Sequence, residues 1–493
     1  MPTDPFSGSK PVAGQQIDRR DFIKATTAGA GLIALASCAP DADPAVPGIV
    51  PYGTVNALTG SRSDVVVVGA GLWGTFTAYN LARRGASVTL VDQYGPGNSR
   101  ATSGDETRGV RSTYGEKGET GELWMLWARE AMKRWTALDE EWSRIYGTQL
   151  YFRTGDVTFR SSEGSGIIRQ TREWWDKHGV PYEMVTPDEA RRRWPVYAID
   201  DIVEVMYEPD AGVVRSRKAC QAMATVFERI GGRIEIGKAT LGEVAGGQLQ
   251  SVTVAGRALR ADLFVFALGP WLRTFFPAVL GERMRTPIGV ACYFGIPAGD
   301  SRFYYPNMPS YNFPGTTGWP ALPIDSRGLR VRGGVGGRGG GGRAGGGGRG
   351  AGGGGRAGGA AAADPPPPEL SPNNIPVGQD PDFSSRWADA GRIESARNFL
   401  ALRIPDVATM PILETRSCHY EQSSSRDFIV DKHPEMANVW LAGGGNAEGA
   451  KFAPVIGDYI SQRVVGIEGD AEVATRFVIP ERTYETGASG FDD

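Results

Sequence analysis

Two apolar runs of this 493-residue chain are joined by a glycine-rich turn and a helical segment. The run 64–68 is rich in valine, as is typical of a buried parallel strand, and Gly69, Gly71 and Gly74 follow it. Apolar residues then recur at helical spacing, and a second strand ends at Asp92. Such a turn brings the backbone close to a pyrophosphate at a helix N-terminus, and the terminal acid can bind ribose hydroxyls. The sequence therefore predicts a dinucleotide site on a β-α-β unit.

This pattern alone does not separate FAD from NAD, although an acid at Asp92 disfavours a 2′-phosphate. A later strand, 261–268, runs directly into Gly269. In FAD-dependent amine oxidoreductases such a strand returns to the nucleotide domain, and its glycine lies near the flavin. A plain core strand that ends in a turn has the same pattern, so both interpretations stay open at this point.

Composition excludes several other kinds of chemistry. The 53 basic and 56 acidic residues give a net charge of −3, so a dedicated nucleic-acid binder is not expected. Only three histidines occur, which disfavours both a histidine-rich metal site and a Ser-His-Asp hydrolase. The four cysteines form no CxxC pair, so neither a zinc ribbon nor a disulfide scaffold is indicated. We therefore predict no metal site.

Three further blocks accompany the β-α-β unit, and they are residues 103–116, 208–213 with the strand end at Gly269, and 414–457. In order and spacing, the four blocks resemble the D-amino-acid oxidase-like FAD oxidoreductases. Within them the chain is most similar to the branch of monomeric sarcosine oxidase and N-methyl amino acid oxidases. The resemblance covers most of residues 63–470. It implies an FAD enzyme that oxidises the C–N bond of an amino acid or N-methyl amino acid to an imine.

The resemblance also implies roles for individual residues. Arg111 and Lys451 would hold the substrate carboxylate, with a phosphate or surface contact and a structural counter-ion as their respective alternatives. Tyr420 would orient the substrate. Cys418 would carry the FAD through a thioether at the 8-methyl position, and a buried structural cysteine is the alternative. The other predicted cofactor contacts are Gly69, Gly71, Gly74, Asp92, Arg108, Gly269, Gly444 and Gly445.

Two predicted catalytic positions depart from the pattern of that branch. The branch usually shows Gly-His-Gly-Phe-Lys where this chain has Glu448 three residues before Lys451. An acid near the flavin ring would select a substrate with an extra cation, or change the substrate's position. Oxidases of the branch place a lysine near flavin N5, and Arg330 stands at that position here. Arginine keeps the charge but differs in shape and donors, so both O2 and a quinone or other carrier stay open as electron acceptors.

The first 38 residues are typical of an export signal. Arg19 and Arg20 precede a short apolar stretch, which resembles a twin-arginine signal, although a cytoplasmic amphipathic tail is the alternative. The residues before Cys38 resemble a lipobox, which would place a lipid anchor on that cysteine, whereas simple cleavage would leave no anchor. Residues 39–62 would form a flexible linker. We expect a periplasmic or cell-envelope protein, with or without the membrane anchor.

A glycine tract interrupts the second half of the chain. Residues 333–360 contain 19 glycines and four arginines, and a run of alanines and prolines follows. Such a composition does not build a core, so we predict a disordered insertion over 333–368. A local reading-frame or sequence error in a GC-rich gene is one alternative. An RGG-like nucleic-acid segment is another, but the interleaved aromatic residues are missing.

The expected fold class is α/β, with a Rossmann-like FAD-binding domain interleaved with a substrate domain on a mainly antiparallel sheet. Residues 63–150, 210–275 and 410–470 would form the first domain, and residues 151–209 and 276–409 the second. A monomer acting on a small amine or amino acid is expected. The alternatives are a catalytically impaired FAD-binding envelope protein, a quinone-linked amino-acid dehydrogenase and an NAD-dependent dehydrogenase.

Overall fold

The computed structural model describes four stretches of the chain, residues 64–323, 327–335, 368–467 and 469–484. The predicted export signal and linker lie outside them, as do residues 336–367 of the glycine tract. Within the described stretches, no helix is long and apolar enough to cross a bilayer.

Strands and helices are numbered here in chain order. The strands are β1 Asp64–Val68, β2 Ser87–Asp92, β3 Arg108–Val110, β4 Tyr151–Phe152, β5 Asp156–Arg160, β6 Glu183–Val185, β7 Glu204–Glu208, β8 Gly212–Val214, β9 Arg233–Ile236, β10 Ala239–Leu241, β11 Val244–Ala245, β12 Gln248–Leu249, β13 Ser251–Val254, β14 Arg257–Arg260, β15 Leu263–Phe266, β16 Met284–Arg285, β17 Ile288–Phe294, β18 Ser310–Phe313, β19 Thr316–Trp319, β20 Leu329–Gly333, β21 Ile412–His419, β22 Gln422–Ser423, β23 Ile429–His433 and β24 Met436–Gly443. The helices are α1 Leu72–Arg83, α2 Gly121–Tyr146, α3 Gly166–Lys177, α4 Pro187–Arg193, α5 Ser216–Arg229, α6 Leu272–Phe275, α7 Pro277–Leu280, α8 Ala390–Arg403, α9 Ala453–Val464 and α10 Ala471–Arg476.

The first large sheet has six strands in the order β23-β24-β15-β1-β2-β9. All neighbours are parallel except the edge pair of β23 and β24. Val65 and Val67 pack with the helices on one face, while Val66 and Val68 pack with the small sheet β10-β13-β14 on the other. Burial on both faces explains the valine run. Because these strands are parallel, their carboxyl ends lie at one edge of the sheet.

The second large sheet has eight strands in the order β21-β17-β20-β19-β18-β5-β7-β6. One pair, β18 with β5, is parallel, and the others are antiparallel. Aromatic side chains fill its core, including Phe159 stacked on Phe313 and Tyr311 stacked on Phe399 of α8. The predicted fold class, a parallel nucleotide sheet combined with a mainly antiparallel second sheet, is confirmed.

The two sheets draw their strands alternately from the chain. β21 lies inside the range 410–470 that was assigned to the nucleotide domain, yet it pairs with β17 in the second sheet. Residues 333–335, at the start of the predicted disordered insertion, are ordered. Gly333 ends β20, and the backbone N–H of Val335 donates to the carbonyl of Ser395 at 3.1 Å. The domain division itself stays a prediction.

Candidate active site

A cavity lies at the carboxyl edge of the parallel sheet. Gly69 and Gly71 line it after β1, Asp92 at the end of β2, Gly269 after β15 and Gly445 after β24. With Arg108, six of the residues predicted to contact the cofactor therefore meet in one wall, although they are far apart in the sequence. In the order of the strands, the cavity extends from the ends of β9 and β2, past the end of β1, to the ends of β15 and β24.

The glycines of the turn are needed for close packing. A Cβ at Gly69, where φ is +108°, would lie 2.2 Å from the carbonyl oxygen of Ala267. A Cβ at Gly74 would lie 1.7 Å from the carbonyl oxygen of Gly69, so this glycine brings α1 against the turn and does not line the cavity. Ser103 Oγ accepts the backbone N–H of Leu72 at 3.0 Å, at the start of α1. The turn fits a bound pyrophosphate.

Asp92 shapes the same turn. Its Oδ2 accepts the N–H of Ala70 at 2.8 Å, and its Oδ1 accepts the N–H groups of Tyr94 and Gly95, each at 2.8 Å. Burial raises the pKa of Asp92, and these three N–H groups oppose the rise. Because a carboxylate oxygen can accept two hydrogen bonds and Oδ2 accepts one here, Asp92 can also bind a ribose hydroxyl from the cavity.

Asp105 is a buried carboxylate that joins two of the predicted site residues. Arg108, which lines the cavity, donates to Asp105, and Arg330 Nη2 lies 3.2 Å from Asp105 Oδ2. Burial raises the pKa of Asp105, but the two arginines outweigh it and hold the pKa well below its usual range. The Arg330 guanidinium also lies 4.0 Å from the ring centre of Trp319. Arg330 therefore does not line the cavity itself and is linked through Asp105 to Arg108, which does.

The Cys418 thiol lies beside Arg108, whose Nη2 is 3.4 Å from Sγ. Cys418 is half-buried on β21, and Tyr420, two residues later, lines the cavity. The described cysteines Cys220 and Cys292 are both buried in the core. Cys220 also contacts a wall residue, Ser103, but it is fully buried, so Cys418 is the one of these three thiols that is both partly exposed and beside the cavity wall.

Lys451 and Glu448 lie beside the β24 end of the same wall, next to the wall residues Gly449 and Ala450. Lys451 Nζ donates to the hydroxyl of Tyr114 at 2.8 Å and lies 3.9 Å from Glu448 Oε2. Burial lowers the pKa of Lys451 to about 8, and Glu448 opposes this change. Burial raises the pKa of Glu448, but Lys117, at 3.2 Å, and Lys451 overcome it and hold the pKa at about 2.

Arg111 completes this group, and its charge contributes to the lowered pKa of Lys451. Nε of Arg111 is buried without a hydrogen-bond partner, and neither a hydrogen bond nor an ion pair within 4 Å reaches its guanidinium from the described residues. Asp156 faces it at longer range, and burial raises the pKa of Asp156 to about 6 while Arg111 opposes the rise. Arg111 is thus a cation whose donors are free for an anion.

Sequence reasoning did not select two acids of this region, Asp105 and Glu421. Glu421 follows Tyr420 in the cavity wall. Neither acid has a spacing signature, because each is placed by strands from distant parts of the chain.

Gly444, with φ of +71°, is also outside the wall and positions its neighbour Gly445. Across the described residues, no group of three or more His, Cys, Asp or Glu side chains is arranged to hold a metal ion.

Comparison with known proteins identifies the family. The family model described as FAD dependent oxidoreductase (DAO) matches residues 64–463. Monomeric sarcosine oxidase of Bacillus sp. (strain NS-129) is 24% identical over 403 residues, covering 81% of this chain and 92% of that protein. N-methyl-L-tryptophan oxidase of Yersinia pestis (strain Pestoides F) is 23% identical over 399 residues, with coverage of 80% and 93%. The structure of glycine oxidase from Bacillus cereus ATCC 14579 superposes with a TM-score of 0.62 at 15% identity, covering 86% of this chain and all of that one.

The matched residues include the strands of both large sheets and the residues that line the cavity. The predicted resemblance is confirmed, and the glycine turn, Asp92 and the mainly apolar cavity wall with its few polar groups fit FAD. The chain belongs to the FAD dependent oxidoreductase (DAO) family and is an FAD-dependent amino-acid oxidoreductase.

Proposed function

We propose that the enzyme oxidises the C–N bond of a small amino acid or N-methyl amino acid to an imine, with the substrate carboxylate held between Arg111 and Lys451. The observation that carries this proposal is the Arg111 guanidinium, which has no bonded partner among the described residues and stands close to Lys451. A carboxylate leaves water for a buried site only when charged donors replace its hydration. Relatives named for sarcosine and N-methyl-L-tryptophan support this substrate class.

The protein's contribution is binding and orientation. Bound FAD supplies the hydride acceptor. Arg111 and Lys451 fix the carboxylate end of the substrate, and Tyr420 in the cavity wall orients the amine end. Arg330 adds positive charge behind the wall, where it would favour electron transfer to O2 or to another acceptor. None of the three histidines is required for these roles.

Glu448 shapes this site more through position than through free charge. It is already paired with Lys117 at 3.2 Å and hydrogen-bonded by Tyr114. Of the two sequence-based interpretations, this pairing favours a changed substrate position over recognition of an extra substrate cation. The negative charge of Glu448, 3.9 Å from Lys451, also offsets part of the positive charge of that ammonium group. Arg111 is therefore the stronger of the two anion-binding cations.

The test is anaerobic mixing of the purified enzyme with a panel of amines. Sarcosine, glycine, other N-methyl amino acids and D-amino acids form one arm, and their methyl esters form the control arm. We expect the visible flavin band to be bleached by at least one acid and not by its ester. A flavin that dithionite reduces but no panel member bleaches would favour the catalytically impaired FAD protein. Reoxidation of the bleached enzyme by O2 compared with a quinone then separates an oxidase from a dehydrogenase.

We also propose that the enzyme is exported by the twin-arginine route and anchored through Cys38, and the sequence pattern of residues 1–38 supports this. Replacing Arg19 and Arg20 together by lysine is expected to leave the protein in the cytoplasm, as measured by cell fractionation. Cys38→Ser is expected to move the exported protein from the membrane fraction to the soluble envelope fraction. Unchanged fractionation of both variants would contradict export and anchoring.

A further inference from the structure

The wall of the cofactor cavity holds two acids that the proposed chemistry does not use, Asp382 and Glu421. Asp382 already accepts a hydrogen bond from Trp271 Nε1 at 2.9 Å, whereas Glu421 keeps one carboxyl oxygen without a partner among the described residues. Glu421 stands between β21 and β22, directly after Tyr420, and lines the cavity at its β24 end. Its Oε2 accepts the backbone N–H of Gly445 at 3.4 Å. Its Oε1 is buried and has no hydrogen-bond partner among the described residues. A buried carboxyl oxygen without a partner is destabilising unless a ligand completes it.

The glycine run after β24 makes room for this carboxyl group. A Cβ at Gly443 would lie 2.7 Å from Oε1 of Glu421 and 2.6 Å from a methyl group of Leu272. A Cβ at Gly445 would lie 3.4 Å from Oε2. A larger residue at Gly443 would displace the acid, and a Cβ at Gly445 would be in van der Waals contact with it, so the backbone fits closely around the carboxyl group. The site therefore holds the carboxyl group in a fixed place.

The strand order shows which half of the cofactor meets this acid. Asp92, the ribose-binding candidate, is at the end of β2, and the pyrophosphate turn follows β1. Glu421 lies on the opposite side of β1, next to the glycines at the end of β24. An extended dinucleotide anchored at Asp92 and at the turn would present its flavin and ribityl half to Glu421.

We propose that Glu421 is a ligand of the flavin half of FAD, and that its Oε1 shares a hydrogen bond with a polar group of that half. This inference rests on the FAD fold and does not depend on which amine is the substrate. The acid would act on the cofactor in the resting enzyme, before any substrate binds.

The electrostatic surroundings allow the acid to carry a proton. Burial raises the pKa of Glu421 to about 7, and the N–H groups of Gly444 and Gly445 oppose the rise. Arginines on the packed elements are engaged elsewhere, since Arg285 of β16 lies 4.1 Å from the ring centre of Tyr484 and Arg273 of α6 donates to Gln379. No ionised side chain is among the causes of the shifted pKa. A neutral carboxyl group can donate as well as accept a hydrogen bond.

The test compares Glu421→Gln and Glu421→Leu with the exposed control Glu435→Gln. The visible spectrum of the FAD-loaded wild-type protein is expected to shift with a midpoint near pH 7, as is that of the control. Glu421→Gln, which keeps the hydrogen bond but does not ionise, is expected to lose this transition. Glu421→Leu, in a Cys418→Ser background that leaves FAD exchangeable, is expected to raise the FAD dissociation constant about ten-fold or more relative to Cys418→Ser alone.

A wild-type spectrum that is independent of pH, or identical transitions in wild type and Glu421→Gln, would overturn the proposal. If Glu421→Leu does not fold, the spectrum of Glu421→Gln still decides. The result is separate from the proposed reaction, because an enzyme that bleaches with no amine still reports the contact through its oxidised spectrum.

Discussion

Replacing Arg111 by methionine is expected to lower kcat/KM for the amino-acid substrate by about 100-fold or more. The guanidinium has free donors in the structure, so the substrate carboxylate would be its counter-ion. Removing one partner of a buried, hydrogen-bonded ion pair costs about 3 kcal/mol, and each 1.4 kcal/mol is a ten-fold change. Steady-state kinetics of purified enzyme with equal flavin content measure the effect. Most of it is expected in KM, because the contact is already made in the bound ground state.

Two variants separate this role from general damage. Arg169→Met removes an arginine that forms an exposed pair on α3 and does not line the cavity, and it is expected to leave kcat/KM unchanged. Arg111→Lys keeps the charge but loses the planar donor pair, so an intermediate value is expected. Wild-type kinetics with Arg111→Met would contradict the carboxylate clamp and favour a structural role for this arginine.

Lys451 gives the same clamp a pH dependence. Its pKa is about 8, so the ammonium that would meet the carboxylate is present at neutral pH and is lost as the pH rises through that value. In the free enzyme, kcat/KM for the acid is expected to fall above about pH 8. Lys451→Met is expected to start lower and to show no such fall. An alkaline limb that persists in Lys451→Met would assign the titration to another group.

The nucleotide half of the fold was predictable from sequence because its signals are local. Four buried valines in β1 are flanked within a few residues by the glycine turn, and Asp92 ends the next strand. Strand, turn, helix and acid are fixed by neighbours in sequence, so periodicity alone places them. β21 was harder, because the same short stretch holds Cys418, the residue predicted to carry the cofactor, and a strand of the second sheet.

For the substrate side of the candidate site, residues were selected only where the resemblance named them, and their roles stay predictions. Arg111, Lys451 and Cys418 were selected by position in a family pattern, and their partners were not. The pairing of Glu448 with Lys117 joins the end of the chain to its first third, and Asp105 pairs with Arg330 from the second sheet. Charge pairs of this kind are set by tertiary packing. No spacing in the sequence encodes them.

Cys418→Ser is expected to abolish covalent attachment of the flavin completely. We propose that the Cys418 sulfur is bonded to the 8-methyl carbon of FAD, which the sequence pattern and its position beside the cavity-lining Arg108 support. Forming this thioether breaks the S–H bond and one methyl C–H bond, releases two protons and leaves two electrons, which the enzyme's electron acceptor would take. After acid precipitation, wild-type protein should keep its yellow colour in the pellet, whereas Cys418→Ser should release it to the supernatant.

The matched control is Cys292→Ala, which removes a thiol buried between strands of the second sheet and away from the cavity wall. It is expected to keep the colour in the pellet, even if its stability falls. Wild-type protein that releases its flavin would contradict the thioether but not the FAD fold, because the glycine turn and Asp92 bind the cofactor without a covalent bond. In that case the Arg108 contact would serve to orient a free thiol, and retention of FAD would depend on the non-covalent contacts alone, with Glu421 among them.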